Sequence, residues 1–285
     1  WEAVIPTVYD PELAGHYWRF AIAGSGEARR YYATLDPWAE RRSKILRSRD
    51  GVRWEVVFDR ERPQGRWMGG ALLGLAVHPA KPGTVYAAAD GGRVWVTRDG
   101  GERWRPTPGQ PGDRSFTWAL AVDREDRVFA GTLSGGLWRS GNGGRRWARV
   151  LRGQGTVWKL AVAGGAIYAS AGDANLYRST DGGDTWRALT DITPPPAGDD
   201  SGDQGMGIAI HPADPKQIAF SHVAPSHSAD ASATGLWEST DGGKSWRRID
   251  KTLQPRHVIS LSYAPDGTLY AGTWGAGSYR RRPPR

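Results

Sequence analysis

Short runs of alternating apolar and polar residues recur along the chain, and none keeps a three-to-four residue period long enough for a helix. The segment Trp118 to Ser140, WALAVDREDRVFAGTLSGGLWRS, is representative. It predicts strands over Trp118 to Val122, Arg127 to Leu133 and Gly136 to Ser140, with a polar turn at Asp123 to Asp126 and a short loop before Gly136. A glycine-rich turn follows, and WARVL from Trp147 predicts a fourth strand. Four short strands in roughly 45 residues make one blade of a β-propeller.

The glycine-rich turn is itself a repeat. STDGGDTW (Ser179 to Trp186) returns as STDGGKSW (Ser239 to Trp246). Related copies begin at Ser48 (one residue short), Thr97, and Ser140, where Asn142 stands in for aspartate. Starts at 48, 97, 140, 179 and 239 give a period of 39 to 60 residues, the signature of a propeller or solenoid. Each copy has a structural reason. Paired glycines supply the positive φ of a tight hairpin. Asp50, Asp99, Asn142, Asp181 and Asp241 can accept hydrogen bonds from their own turn. Trp54, Trp104, Trp147, Trp186 and Trp246 offer large apolar surfaces that pin each hairpin to its blade.

The pattern S/T-x-D-x-G-x-x-W resembles the Asp-box, or BNR, repeat. That repeat occurs in sialidases, some endoglucanases, sortilin-type receptors and photosystem II stability/assembly factors. The resemblance covers nearly the whole chain and implies an all-β propeller of the sialidase-like superfamily. The expected architecture is six four-stranded antiparallel blades in a single domain, 1–285. Five blades carry motifs. The sixth joins residues 1–6 to 257–282, because WEAVIP at the start matches the fourth-strand WEVVF of Trp54 to Phe58 while the C-terminal segment supplies only three strands. Residues 283–285 are a tail.

Composition narrows the chemistry. The chain has 285 residues, 39 glycines, 15 tryptophans and no cysteine, so thiolate chemistry and disulfides are excluded. No window approaches the ~18 apolar residues of a membrane helix. The net charge of +8 suits an anionic protein or polysaccharide surface. Nucleic acid is not expected, since apart from Arg280 to Arg285 the cations are scattered. A chain opening at Trp1 is expected either to have lost a leader, which places it in the extracellular or periplasmic space as part of a larger assembly, or to have been cut from a longer product.

Candidate ligand-binding residues cluster near the starts of the innermost strands and in the blade-one loop. They are Trp18, Arg19, Trp38, Arg41, Arg42, Trp67, Trp118, Trp158 and Lys159. Indoles beside cations form a platform for a sugar or a peptide; the competing reading of the tryptophans is packing between blades. The acidic loop with Asp199, Asp200 and Asp203 is the candidate metal site, with calcium as its ion; no other cofactor is expected. The sialidase branch would bring an Arg-Ile-Pro start, an arginine triad and a Tyr–Glu pair, whereas Val4-Ile5-Pro6 lacks the arginine. The expected function is a non-catalytic binding or assembly scaffold, similar in character to the photosystem II assembly factors. A secreted glycoside hydrolase or polysaccharide lyase is the alternative.

Overall fold

A computed structural model describes residues 2–4, 15–37, 41–61, 71–89, 91–112, 116–133, 135–152, 155–171, 176–189, 204–223, 235–251, 253, 258–273 and 277–283, with backbone alone at 2–4, 15–18, 37 and 204–206. The fold is all-β, a six-bladed β-propeller. Blade one is β2 (Gly15–Ala23), β3 (Arg30–Pro37), β4 (Arg42–Ser48) and β5 (Trp54–Glu61). Blade two is β6 (Leu72–Val77), β7 (Val85–Ala89), β8 (Val94–Thr97) and β9 (Arg105–Pro106). Blade three is β10 (Thr117–Val122), β11 (Val128–Thr132), β12 (Gly136–Ser140) and β13 (Ala148–Leu151), within a residue of the pattern-based strands. Blade four is β14 (Val157–Ala163), β15 (Ala166–Ala171), β16 (Leu176–Ser179) and β17 (Arg187–Ala188). Blade five is β18 (Gln204–Ile210), β19 (Ile218–Val223), β20 (Gly235–Ser239) and β21 (Arg247–Arg248).

Blade six is assembled from both ends of the sequence. β22 (Val258–Tyr263), β23 (Leu269–Thr273) and β24 (Gly277–Arg281) pair in order, and β1 (Glu2–Val4) adds outside β24 with Glu2 opposite Arg280 and Val4 opposite Ser278. This is the closure expected from the likeness of WEAVIP to WEVVF. The chain divides into two compact units, residues 8–153 with blades one to three, and residues 1–7 with 154–285 carrying blades four to six.

The five motif turns share one hydrogen-bond design. The Ser or Thr hydroxyl donates to the Asp or Asn side chain two residues on, at 2.7 Å in Thr97–Asp99 and Ser179–Asp181 and at 3.0 Å in Ser140–Asn142. The same hydroxyl accepts the N–H of the second glycine, at 2.8 to 2.9 Å for Gly101, Gly144, Gly183 and Gly243. In the copy that is one residue short it accepts from Gly51 instead. The carboxylate then accepts backbone N–H groups from the far side of the turn, as Asp99 does from Arg103 and Asp241 from Ser245. N–H groups that would otherwise be orphaned are thus satisfied locally.

The motif tryptophans were expected to pin each hairpin to its own blade. Three of them instead seal the layer between blades. Trp104 packs on a core of blade-one and blade-two residues that includes Tyr32, Ile45, Leu72 and Val85. Trp147 packs on a core shared by blades two and three. Trp246 packs on the core of blades four and five and donates to the Leu189 carbonyl, 3.3 Å away at the end of blade four. The turns also dock backward onto the preceding blade. The Gly100 carbonyl accepts from Tyr32 and Arg47 of blade one at 2.9 and 2.7 Å. A Cβ on Gly144 would lie 2.5 Å from the Thr107 methyl of blade two, and one on Gly243 would lie 2.7 Å from Leu189 of blade four.

Gly144 therefore has two reasons to be glycine: a φ of +86° and no room for a Cβ. Gly141, in the same turn, has neither constraint. Gly144→Ala is expected to lose about 2 kcal/mol in chemical denaturation, and Gly141→Ala no more than about 0.5 kcal/mol.

Candidate functional site

Every innermost strand breaks register at the same place. The pairing of β2 with β3 skips Trp18, and that of β6 with β7 skips Leu73. The corresponding pairings in blades three to six skip Trp118, Trp158, Met206 and Ile259. A bulge leaves one residue outside the ladder and re-aims its side chain. The sequence placed Trp18, Trp118 and Trp158 near the starts of innermost strands; the bulge makes all six positions equivalent. They lie at the end of each blade away from the motif turns, since antiparallel pairing sets the start of the first strand beside the end of the second and the start of the third.

The residue after each bulge is small in four blades: Gly74, Ala119, Gly207 and Ser260. Crowding explains this at two of them. A Cβ on Gly74 would meet Ala88 and Leu120 at 3.0 Å, and one on Gly207 would meet the Ser221 hydroxyl at 2.7 Å. Blades one and four place Arg19 and Lys159 there, both half-buried.

Arg19 has a defined geometry. Its backbone N–H donates to the Thr34 hydroxyl at 3.1 Å, and its guanidinium donates to the Trp118 carbonyl at 2.9 Å, joining the inner strand of blade one to the bulge of blade three. Burial among protein atoms lowers the guanidinium to about 10, so it stays charged at neutral pH. The half-exposed Trp118 ring stacks on Phe116, with centroids 6.4 Å apart and planes 24° from parallel. Phe116 was missed from sequence; it lies two residues before Trp118, the spacing that puts side chains on one side of a strand.

The remaining candidates scatter. Arg42 begins β4 at this same end of blade one and donates to Asp59 at 2.7 Å, while Arg41 just before it is exposed. Trp158 and Lys159 lie on β14 in the other unit. Trp18 is placed by its backbone on β2. Trp38, Trp67, Asp199, Asp200 and Asp203 lie outside the described residues. Among the described residues no group of three potential metal ligands occurs. No described helix is long and apolar enough to cross a membrane.

Two described carboxylates at this end are held by neighbours, and a third, Glu61, is exposed at the end of β5 opposite Arg42. Buried Asp36 accepts from the Ser43 hydroxyl at 2.7 Å, and Asp59 pairs with Arg42. Another buried acid, Glu238, lies at the motif end of blade five. It accepts from Arg281 (2.6 Å), Arg247 (2.8 Å), Gln217 (3.1 Å) and Tyr263 (3.1 Å). Burial alone would raise its pKa, but the hydrogen bonds from Arg281 and Arg247 outweigh that and hold it at about 2. Burial and the Glu238 charge together push the Tyr263 phenol up. Blade six has no motif turn, and this cluster ties β22 and β24 to blade five in its place.

The Sortilin (neurotensin receptor 3) family profile matches residues 135–267, under half of the chain. No curated protein sequence matches it. Among solved structures, the GH74 xyloglucanase from Xanthomonas campestris is similar at a TM-score of 0.68 and 20% identity, over 89% of this chain and 43% of the enzyme. An ancestral GH74 enzyme is similar at 0.68 and 15% identity, over 95% of this chain and 37% of the enzyme. YCF48 bound to D1 peptide is similar at 0.53 and 14% identity, over 99% of this chain and 98% of that one. This chain spans less than half the length of the two GH74 enzymes. At such identities the likeness is one of fold.

Glu238 is held below its ordinary value of 4.5 when folded, so its contribution to stability is complete above pH 4.5 and vanishes as pH falls through about 2. Glu238→Gln is expected to be about 3 kcal/mol less stable at pH 7. In urea titrations, the gap from wild type should close between pH 4.5 and 2.

Proposed function

We propose that this chain is a non-catalytic propeller of the Asp-box type that recognises a polypeptide on the bulge end of its blades. One observation carries the reading. Where four inner strands hold Gly, Ala or Ser, two hold cations, and Arg19 stands charged and half-buried with its guanidinium on the backbone carbonyl of Trp118, whose ring is half-exposed. A guanidinium with an aromatic platform donates hydrogen bonds to carboxylates and carbonyls and stacks on flat groups. It does not supply the proton transfer or nucleophile of glycoside cleavage, which takes two carboxylates flanking a bond. Of the described acids at this end, Asp36 and Asp59 are engaged with Ser43 and Arg42, and Glu61 is exposed at the end of the outermost strand of blade one.

YCF48, similar over nearly its whole length, is a structure with a peptide bound, which supports a polypeptide ligand over a glycan. The GH74 neighbours support the alternative, a glycoside hydrolase, through roughly the matching portion of much longer chains. A role outside the cytoplasm, as one part of a larger assembly, fits the same reading.

The test pairs catalysis with binding. Xyloglucan, mixed β-glucans, sialosides and acidic polysaccharides, each with and without calcium, are expected to yield no new sugar ends. Wild-type protein on a resin should retain polypeptides that an Arg19→Gln variant of equal melting temperature loses. Sugar release from any substrate, or retention identical in the two proteins, overturns the reading.

A further inference from the structure

The third motif copy departs from the others in two ways at once. It is the one whose aspartate is replaced, by Asn142, and it lies in a stretch, residues 135–152, with five arginines and no acidic residue. The other four copies each keep their aspartate, at Asp50, Asp99, Asp181 and Asp241. Asn142 makes the bonds that the carboxylates make, accepting from the Ser140 hydroxyl at 3.0 Å and the Arg146 N–H at 2.9 Å. The turn therefore has its fold without its negative charge.

The arginines surround the outermost strand of blade three. Arg145 and Arg146 are exposed in the turn that leads into β13, and Arg152 is exposed just past its end. Arg98 joins them from blade two: its guanidinium lies 3.4 Å from where a Cβ of Gly143 would stand, and the Gly109 N–H of blade two donates to the Gly144 carbonyl at 2.9 Å. Among the described residues no carboxylate pairs with Arg98, Arg145 or Arg146. In contrast, around the blade-one motif Glu55 and, from the blade-two turn, Glu102 pair with Arg47, and Asp50 pairs with Arg53.

β13 is the last strand of its sheet, so one side of its backbone has no strand beside it in that sheet. It has four residues, against two in β9, β17 and β21; the longer outer strand β5, with eight, carries Glu55, Asp59 and Glu61 and is no match for an acidic segment. An unpaired edge is a template for an extended chain, and arginine forks match carboxylates in the plane.

We propose that the outer edge of blade three is a second interaction surface, which takes an extended acidic segment of a partner protein alongside β13 between Arg145–Arg146 and Arg152. It is separate from the bulge-end site and does not rest on that reading. Arginines flanking the edge repel another copy of the same basic strand and admit an acidic one. The backbone edge favours a polypeptide over an acidic polysaccharide, which would use the charges alone.

A fluorescein-labelled decapeptide of alternating glutamate and threonine, titrated by anisotropy at low and physiological salt, tests this. Wild-type protein is expected to bind it with an affinity that falls as salt rises. Asn142→Asp restores the charge of the other copies inside an unchanged turn. It should weaken binding roughly three- to fivefold with an equal or higher melting temperature. Arg145→Glu with Arg146→Glu should weaken it roughly tenfold or more, and Lys159→Glu should leave it unchanged. Equal affinity of Asn142→Asp and wild type overturns the proposal. So does loss of binding in Lys159→Glu alone, which assigns the peptide to the bulge end. Binding of dextran sulfate without binding of the peptide identifies a polysaccharide surface and overturns it too.

Discussion

The backward docking of the motif turns of blades two, three and five is the constraint on which those blades depend. A turn that satisfies its N–H groups with its own serine and aspartate, and that presents a glycine instead of a side chain, can press its backbone against the preceding sheet. Gly100 against Tyr32 and Arg47, Gly144 against Thr107, and Gly243 against Leu189 are three instances of one contact. The tryptophan that ends the motif then fills the layer the turn has just closed. Hydrogen bonding and burial are coupled here, because neither the turn nor the indole reaches its partner unless the other is in place.

The motif aspartates add an electrostatic consequence. Backbone N–H groups from Arg53 and Val52 hold Asp50 at about 2, and the hydroxyls of Thr185 and Ser245 hold Asp181 and Asp241 lower still. They are charged at any physiological pH and fully engaged inside their turns. That accounts for acids that would otherwise suggest chemistry, and it leaves the two ends of a blade with different tasks. The motif end is concerned with fastening. The bulge end, free of that task, is where the inner strands vary, from Gly74 and Gly207, which have no room for more, to Arg19 and Lys159.

Blade six shows how the scheme is completed without a motif. The position before the motif serine is arginine in blades one, three and four, and glutamate in blade five. Arg47 binds forward to the next turn. Glu238, with no turn ahead of it, binds Arg281 of the last strand and Tyr263 of the first. A buried carboxylate costs desolvation, and four donors offset it.

Sequence alone determined the blade. Turn chemistry is local, so the glycine pairs, the serine-to-aspartate spacing and the strand alternation specify four strands and a hairpin wherever they occur, and the match of WEAVIP to WEVVF specified how the last blade closes. It also marked Trp118 and Trp158, and beside such tryptophans Arg19 and Lys159, as candidates near the starts of innermost strands, because repeats align. Tertiary structure alone decided what those residues do. The bulge that re-aims Trp118, the carbonyl that Arg19 reaches in blade three and the packing of Trp104, Trp147 and Trp246 against the preceding blade all join strands that are separate in sequence. Such contacts depend on which sheet faces which, and a local pattern carries no record of that.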